Sequence, residues 1–218
     1  MGLAAVRQRP RCRDPLTPSN NYDLALETGP SAFDFRKRST TSWIYELPFG
    51  HDRKYMNANT ALDYVLGGWQ IGGILTFQDG FPFTLGCSTG AVQNGGGGCY
   101  PDPAPGSPDW QLDDPTRERW FNTAAFVDRN PEYGTGFRYG TVKRNAVVGP
   151  GIKSFDMSFN KNFMVKDDHI EFRIEIFNLP NAAIWGQPGS QLGTPTYGVI
   201  TGTRLDSRQV QIGLKYVF

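Results

Sequence analysis

Near the end of the chain the side chains alternate. Val210, Ile212, Leu214, Tyr216 and Phe218 fall on one face, and Gln209, Gln211, Gly213 and Lys215 on the other. Successive side chains of an extended chain point to opposite faces, so 209–218 reads as a β-strand, with Val217 the only apolar residue on its second face. The same period runs from Phe155 to Val165. There Phe155, Met157, Phe159 and Phe163 oppose Asp156, Ser158, Asn160 and Asn162, while Lys161 interrupts the apolar face. A short polar turn at residues 166–168 predicts a hairpin. The chain then returns with Ile170, Phe172, Ile174 and Ile176 against Glu171, Arg173 and Glu175. Two earlier strands follow the same plan. Residues 35–47 set Phe35, Thr41, Trp43, Tyr45 and Leu47 against Arg36, Arg38, Thr40, Ser42 and Glu46. Residues 69–83 set Trp69, Ile71, Leu75, Phe77, Phe81 and Phe83 against Gln70, Thr76 and Gln78, with Gly72 and Gly73 expected to mark a bend or bulge.

Strands with one very apolar and one charged face suit either a β-sandwich or a membrane β-barrel, and periodicity alone does not separate the two. Length favours the barrel: 11 residues at ~3.3 Å, tilted by ~40°, span about 28 Å, close to the apolar band of an outer-membrane barrel. The connections alternate in length: 48–68 is moderate, 86–152 very long, 166–168 tight and 180–207 long. Long structureless connections are unusual in compact soluble domains, whereas outer-membrane barrels have short periplasmic turns and long external loops. With Phe218 on the periplasmic side, 166–168 becomes periplasmic, and 86–152 and 180–207 extracellular. That arrangement gathers Trp43, Tyr45, Trp69, Phe163, Tyr216 and Phe218 at one membrane edge, as an aromatic girdle requires.

Composition agrees with an all-β chain rich in loops: 26 Gly, 16 Pro, and 29 aromatics made up of 15 Phe, 9 Tyr and 5 Trp, in 218 residues. A formal net charge of +1 gives no electrostatic reason to expect a nucleic-acid partner. No run of 18 apolar residues occurs, which excludes a transmembrane helix but not a barrel; a mean hydropathy of −0.43 is compatible with one. The first fifteen residues lack the apolar core of a secretory signal, so an exported protein would have to be part of a longer chain. Of the three cysteines, Cys87 and Cys99 bracket a Gly-rich loop and are candidates for a local disulfide, leaving Cys12 over. No zinc-type spacing occurs, and only His51 and His169 are available, so neither a metal nor another cofactor is expected.

Several motifs invite chemical readings that their surroundings weaken. Gly86-Cys87-Ser88-Thr89-Gly90 matches a nucleophile elbow, but the Gly-rich run after it does not supply the helix that the elbow needs. Gly95–Gly98 lacks the Lys-Ser/Thr of a phosphate loop. Asp113-Asp114 and Asp167-Asp168 lack the spaced oxygen ligands of a calcium loop, and read as solvated turns. His169 reads as a surface histidine. No catalytic residue is expected. The candidate lumen-facing residues are Arg36, Arg38, Glu171, Arg173, Glu175, Gln209, Gln211 and Lys215, expected more often to pair across strands than to touch a solute.

The segments SAFDFRKRSTTSWIYELPFG (31–50), LGGWQIGGILTFQDGFPFTL (66–85), RWFNTAAF (119–126), GPGIKSFDMSFNKNF (149–163), IEFRIEIFNLPN (170–181) and QVQIGLKYVF (209–218) resemble, in order and spacing, the C-terminal part of Oar-like TonB-dependent outer-membrane receptors. The resemblance covers residues 31–218. It implies an antiparallel meander of about five strands, the C-terminal segment of a transmembrane β-barrel with long extracellular loops, in the outer membrane of a Gram-negative cell. Residues 1–30 are expected to be an extracellular loop or a non-native N-terminal segment. Phe218, with Tyr216 before it, resembles the signal read by the barrel assembly machinery. The implied function is energised uptake of an unidentified solute without catalysis. Its partners would be outer-membrane lipid, the assembly machinery, and the TonB complex through an N-terminal part not contained in the 218 residues. The alternatives are a soluble β-sandwich of the carbohydrate-binding type and a passive porin-type barrel.

Overall fold

A computed structural model describes residues 24, 25, 27–50, 55, 65, 67–87, 100–106, 108–128, 140–165 and 168–218. They fall into two compact units. One comprises 37–79, 151–184 and 203–218; the other takes in 80–150 and 185–202 together with residues up to Arg36.

The first unit is a sheet of five strands among the described residues: β1 (Arg38–Glu46), β2 (Trp69–Gln78), β3 (Ile152–Val165), β4 (Asp168–Phe177) and β5 (Gln209–Val217), in that order and antiparallel throughout. The register is constant along every pair. Tyr45 pairs with Ile71, Ile71 with Phe159, Phe159 with Ile174, and Ile174 with Ile212. A one-residue slip in any strand would turn its whole apolar set to the other face, so the five alternating patterns must agree, and they do. Val165 pairs with Asp168, as the hairpin reading requires; the turn residues 166 and 167 lie outside the described residues.

Three expectations about this sheet need correction. Phe35 and Arg36 precede β1 instead of lying in it, because the Phe35 ring packs edge-on against Phe81, at 5.5 Å between centroids. Arg36 is therefore not a lumen-facing strand residue. The strand from 69 ends at Gln78, so Phe81 and Phe83 leave the sheet; Gly80 then passes so close to the Gly149 carbonyl that a Cβ there would lie 1.7 Å from its oxygen. Gly72 and Gly73 make no bulge. They stay in register, and Gly73 makes room for the Trp43 indole, whose ring atoms would be 2.6 Å from an added Cβ.

Lys161, the interruption in the apolar face, is 3% exposed. Its ammonium donates to the Val65 carbonyl at 2.9 Å and to that of Gly67, and lies over the Trp69 and Phe163 rings at 5.6 and 4.9 Å. The backbone carbonyls and ring faces offset its charge. The aromatic edge is a diagonal, not a single row. Phe163 aligns with Tyr216 through Ile170, Trp69 is one row further in beside Lys161, and Tyr45 and Trp43 are two and three rows in. From Tyr45 to Tyr216 the shift is four residues over four strand steps, ~13 Å against ~19 Å, or about 35°. Strands in outer-membrane barrels tilt by roughly that angle.

At the other end of the hairpin, Asn178 and Asn181 adopt left-handed backbone at φ 52° and 54°. The Asn178 amide N–H donates to Asp156 Oδ1 at 2.8 Å, and its side chain bonds Ala182 in both directions and donates to the Asp206 carbonyl. Asn181 Oδ1 accepts from the Arg208 backbone N–H. Asparagine tolerates this conformation, and here its side chain also joins the end of β4 to the approach to β5.

The second unit corrects the reading of the long connections as structureless. Phe121, Leu85 and Val147 are fully buried in it, with Ala125, Phe126 and Val142. The Phe121 ring is met by Tyr197, Phe126 and Phe83 at centroid distances of 5.2, 6.1 and 6.3 Å. Two-residue pairings stitch the segments around this core. Pro82–Phe83 pairs antiparallel with Val147–Val148, Gly86–Cys87 parallel with Gln191–Leu192, and Asp102–Pro103 antiparallel with Phe126–Val127. Glu27 and Pro30 are tied to the same unit. Tyr100 donates to Glu27 at 2.8 Å, Arg144 lies 3.6 Å from Glu27, and Asn145 Nδ2 donates to the Pro30 carbonyl at 2.8 Å. Desolvation, followed by the hydrogen bond and repulsion from Glu27, raises the Tyr100 pKa well above its ordinary value; burial alone does the same for Tyr197.

Candidate functional site: the polar face of the sheet

The register that gathers the apolar residues on one face sends the polar ones to the other. Arg173 pairs with Gly213, Glu175 with Gln211, Glu171 with Lys215, and Phe177 with Gln209. Glu171, Arg173, Glu175, Gln209, Gln211 and Lys215 therefore share a face, as expected. Arg38 is on that face too, but at the far end of β1, opposite Gln78. Apolar residues intrude on the polar face: Ile44, beside Gly72 and Ser158, and Ile74, beside Ser42 and Asp156, within it, and Ile152, Met164, Phe177 and Val217 at its ends.

The charges pair mostly within the face. Lys215 Nζ lies 3.5 Å from Glu171 across the strand pair, His169 Nε2 is 3.4 Å from the same carboxylate, and Arg173 lies 3.6 Å from Glu175. Exposed pairs of this kind contribute about 0–1 kcal/mol each, so they set the field of the surface more than its stability.

Two adjacent rows form the richest part. One runs Glu46, Gln70, Asn160, Arg173, Gly213; the next runs Asn162, Glu171, Lys215. A cavity of about 330 Å³ lies here, its polar lining including Glu46, Gln70, Asn160, Asn162, Glu171 and Arg173. Asn160 Oδ1 is buried and has no hydrogen-bond partner among the described residues. The alternation placed Asn160 and Asn162 on this face, but nothing in the sequence singled them out as cavity residues.

A family described as "Outer membrane beta barrel domain" matches residues 7–211. This chain belongs to that family. It is an outer-membrane protein, and its five-stranded antiparallel sheet is barrel wall. No curated protein and no solved structure matches the chain.

The remaining candidates separate accordingly. Tyr216 stacks at 5.8 Å on Phe218, which is 95% exposed, and its hydroxyl donates to Asp168. Cys87 is disulfide-bonded; its partner lies outside the described residues, where the sequence offers Cys12 and Cys99. In the elbow-like motif Gly86–Cys87 is a strand, and residues 88–90 lie outside the described part, as do Gly95–Gly98, His51 and Asp167. Asp113 and Asp114 are exposed, and no cluster of metal-ligating side chains occurs among the described residues.

Proposed function

We propose that the protein forms part of a TonB-dependent receptor barrel for energised solute uptake and performs no covalent chemistry. The observation that carries this reading is the division of the sheet: an apolar outer face fit for lipid, and an inner face of paired charges, carboxamides and an open cavity fit for a passing solute. The second unit, placed outside the cell by the alternation of loop lengths, would serve ligand capture. The motifs quoted above support the receptor type. On this reading the partners are outer-membrane lipid, the barrel assembly machinery engaging Phe218 and Tyr216, and a TonB complex.

The test is uptake of a panel of labelled solutes by cells with and without the gene, repeated with an uncoupler of the proton-motive force. Gene-dependent uptake that collapses with the uncoupler is the expected result. Gene-dependent uptake that persists would replace the receptor by a passive porin-type barrel.

A further inference from the structure

The cavity on the polar face has a chemistry of its own. Glu171 already faces Lys215 and His169, and Arg173 already faces Glu175, so an ionic solute would compete with charges held in place by the sheet. Besides Glu46, the polar side chains that the rest of the lining places on this face are carboxamides: Gln70, Asn160 and Asn162. Each carboxamide donates and accepts, which is also what a hydroxyl does. Asn160 Oδ1 is a buried acceptor without a donor among the described residues, a costly arrangement, and because Asn160 lines the cavity a turn of its carboxamide would offer that oxygen to an incoming O–H. Gly213 continues the Asn160–Arg173 row without a side chain, and a Cβ there would meet only the Arg173 Cβ, at 4.0 Å. The cavity's 330 Å³ lies at the lower end of the roughly 300–1,000 Å³ typical of small-molecule sites.

The geometry points to a subsite for a neutral, polyhydroxylated solute, such as a short oligosaccharide, held by Gln70, Asn160 and Asn162 between the two paired charges Glu171 and Arg173. This rests on the reading of the polar face as the lumen, and names the class of solute that this face takes.

The experiment is calorimetric titration of the whole chain, folded in detergent micelles, with maltotriose as the neutral probe and spermidine and glutamate as charged probes. Maltotriose should bind saturably, with an affinity that changes little between low and high salt. Asn160→Leu should weaken it by about tenfold or more, through loss of the buried acceptor. Asn162→Trp, at an exposed position, should abolish it by filling the cavity while leaving Asn160 in place. Maltotriose that fails to bind, saturable binding of spermidine or glutamate instead, or unchanged affinity in both variants would overturn the subsite. Energised uptake in cells with no maltotriose binding in micelles would overturn the subsite alone. Saturable binding with no gene-dependent uptake would overturn the transport reading alone.

Discussion

The two units of this chain use apolar residues in opposite ways. In the unit built from the long connections, Phe121, Leu85 and Val147 are fully buried by their own chain. In the sheet, Ile212 and Leu214 are 67% and 73% exposed, and every residue of β1 is exposed. A water-soluble sheet with such a face would need a second layer to cover it. In the outer membrane lipid covers it, and the sheet needs no core of its own. The connections are not surrounded by lipid on this reading, so they must exclude water by packing on themselves. The difference in burial thus reflects a difference in solvent.

The sharpest way to break this contrast is to remove the centre of the packed unit. Phe121→Ala should cost about 3–5 kcal/mol there, by deleting a ring that touches Tyr197, Phe126 and Phe83. Limited proteolysis should then cut within 80–150 while the sheet stays protected. Equal loss of protection in both would mean that they do not fold as separate units.

For the sheet, Ile174→Arg should destabilise by about 2–4 kcal/mol where Ile174 lies near the membrane midplane. Unfolding measured in bilayers and in zwitterionic micelles separates the causes: the penalty should shrink in the more deformable micelle. A penalty independent of the surrounding lipid would point to a protein-covered face.

Asn178→Ala removes a side chain that bonds Ala182 in both directions and the Asp206 carbonyl, and should cost about 1–3 kcal/mol. The loss should appear as faster hydrogen exchange at the Asn178 end of the β4–β5 pair, with the Tyr216 end unchanged.

The packed unit should also respond to alkali. The Tyr100 and Tyr197 phenols are raised above their ordinary value of 10.0, so the stability they contribute is complete below about pH 10 and is lost as pH rises through the folded values. Ultraviolet titration should show two tyrosines ionising late, with near-ultraviolet dichroism of the unit fading as they do.

The smallest effect belongs to the charged face. Lys215→Ala should change stability by no more than about 1 kcal/mol, since its partner Glu171 keeps His169 nearby and Lys215 is itself exposed. A larger loss in bilayers would mean that the inner face is drier than an open lumen.

Much of the sheet was legible because alternation is a local signal. Phe159, Ile174 and Ile212 announce their face from their own strands, and the short connection between β3 and β4 fixes one register by itself. The strand ends at 35–37 and 79–83 were not legible, since they depend on Phe35 meeting Phe81 and Gly80 meeting Gly149, contacts between segments far apart in sequence. The role of Gly73 was hidden for the same reason: a glycine in a strand reads as a weakness until the indole above it is seen.

The sequence by itself determined which residues of each strand share a face, because a period of two leaves no freedom once a strand is extended. Only the tertiary structure decided that the long connections have a core, that Lys161 sits under two carbonyls and two rings, and that Glu46, Gln70, Asn160 and Arg173 stand in one row. Each of these depends on register or packing between residues tens of positions apart, where the pattern along the chain carries no distance information.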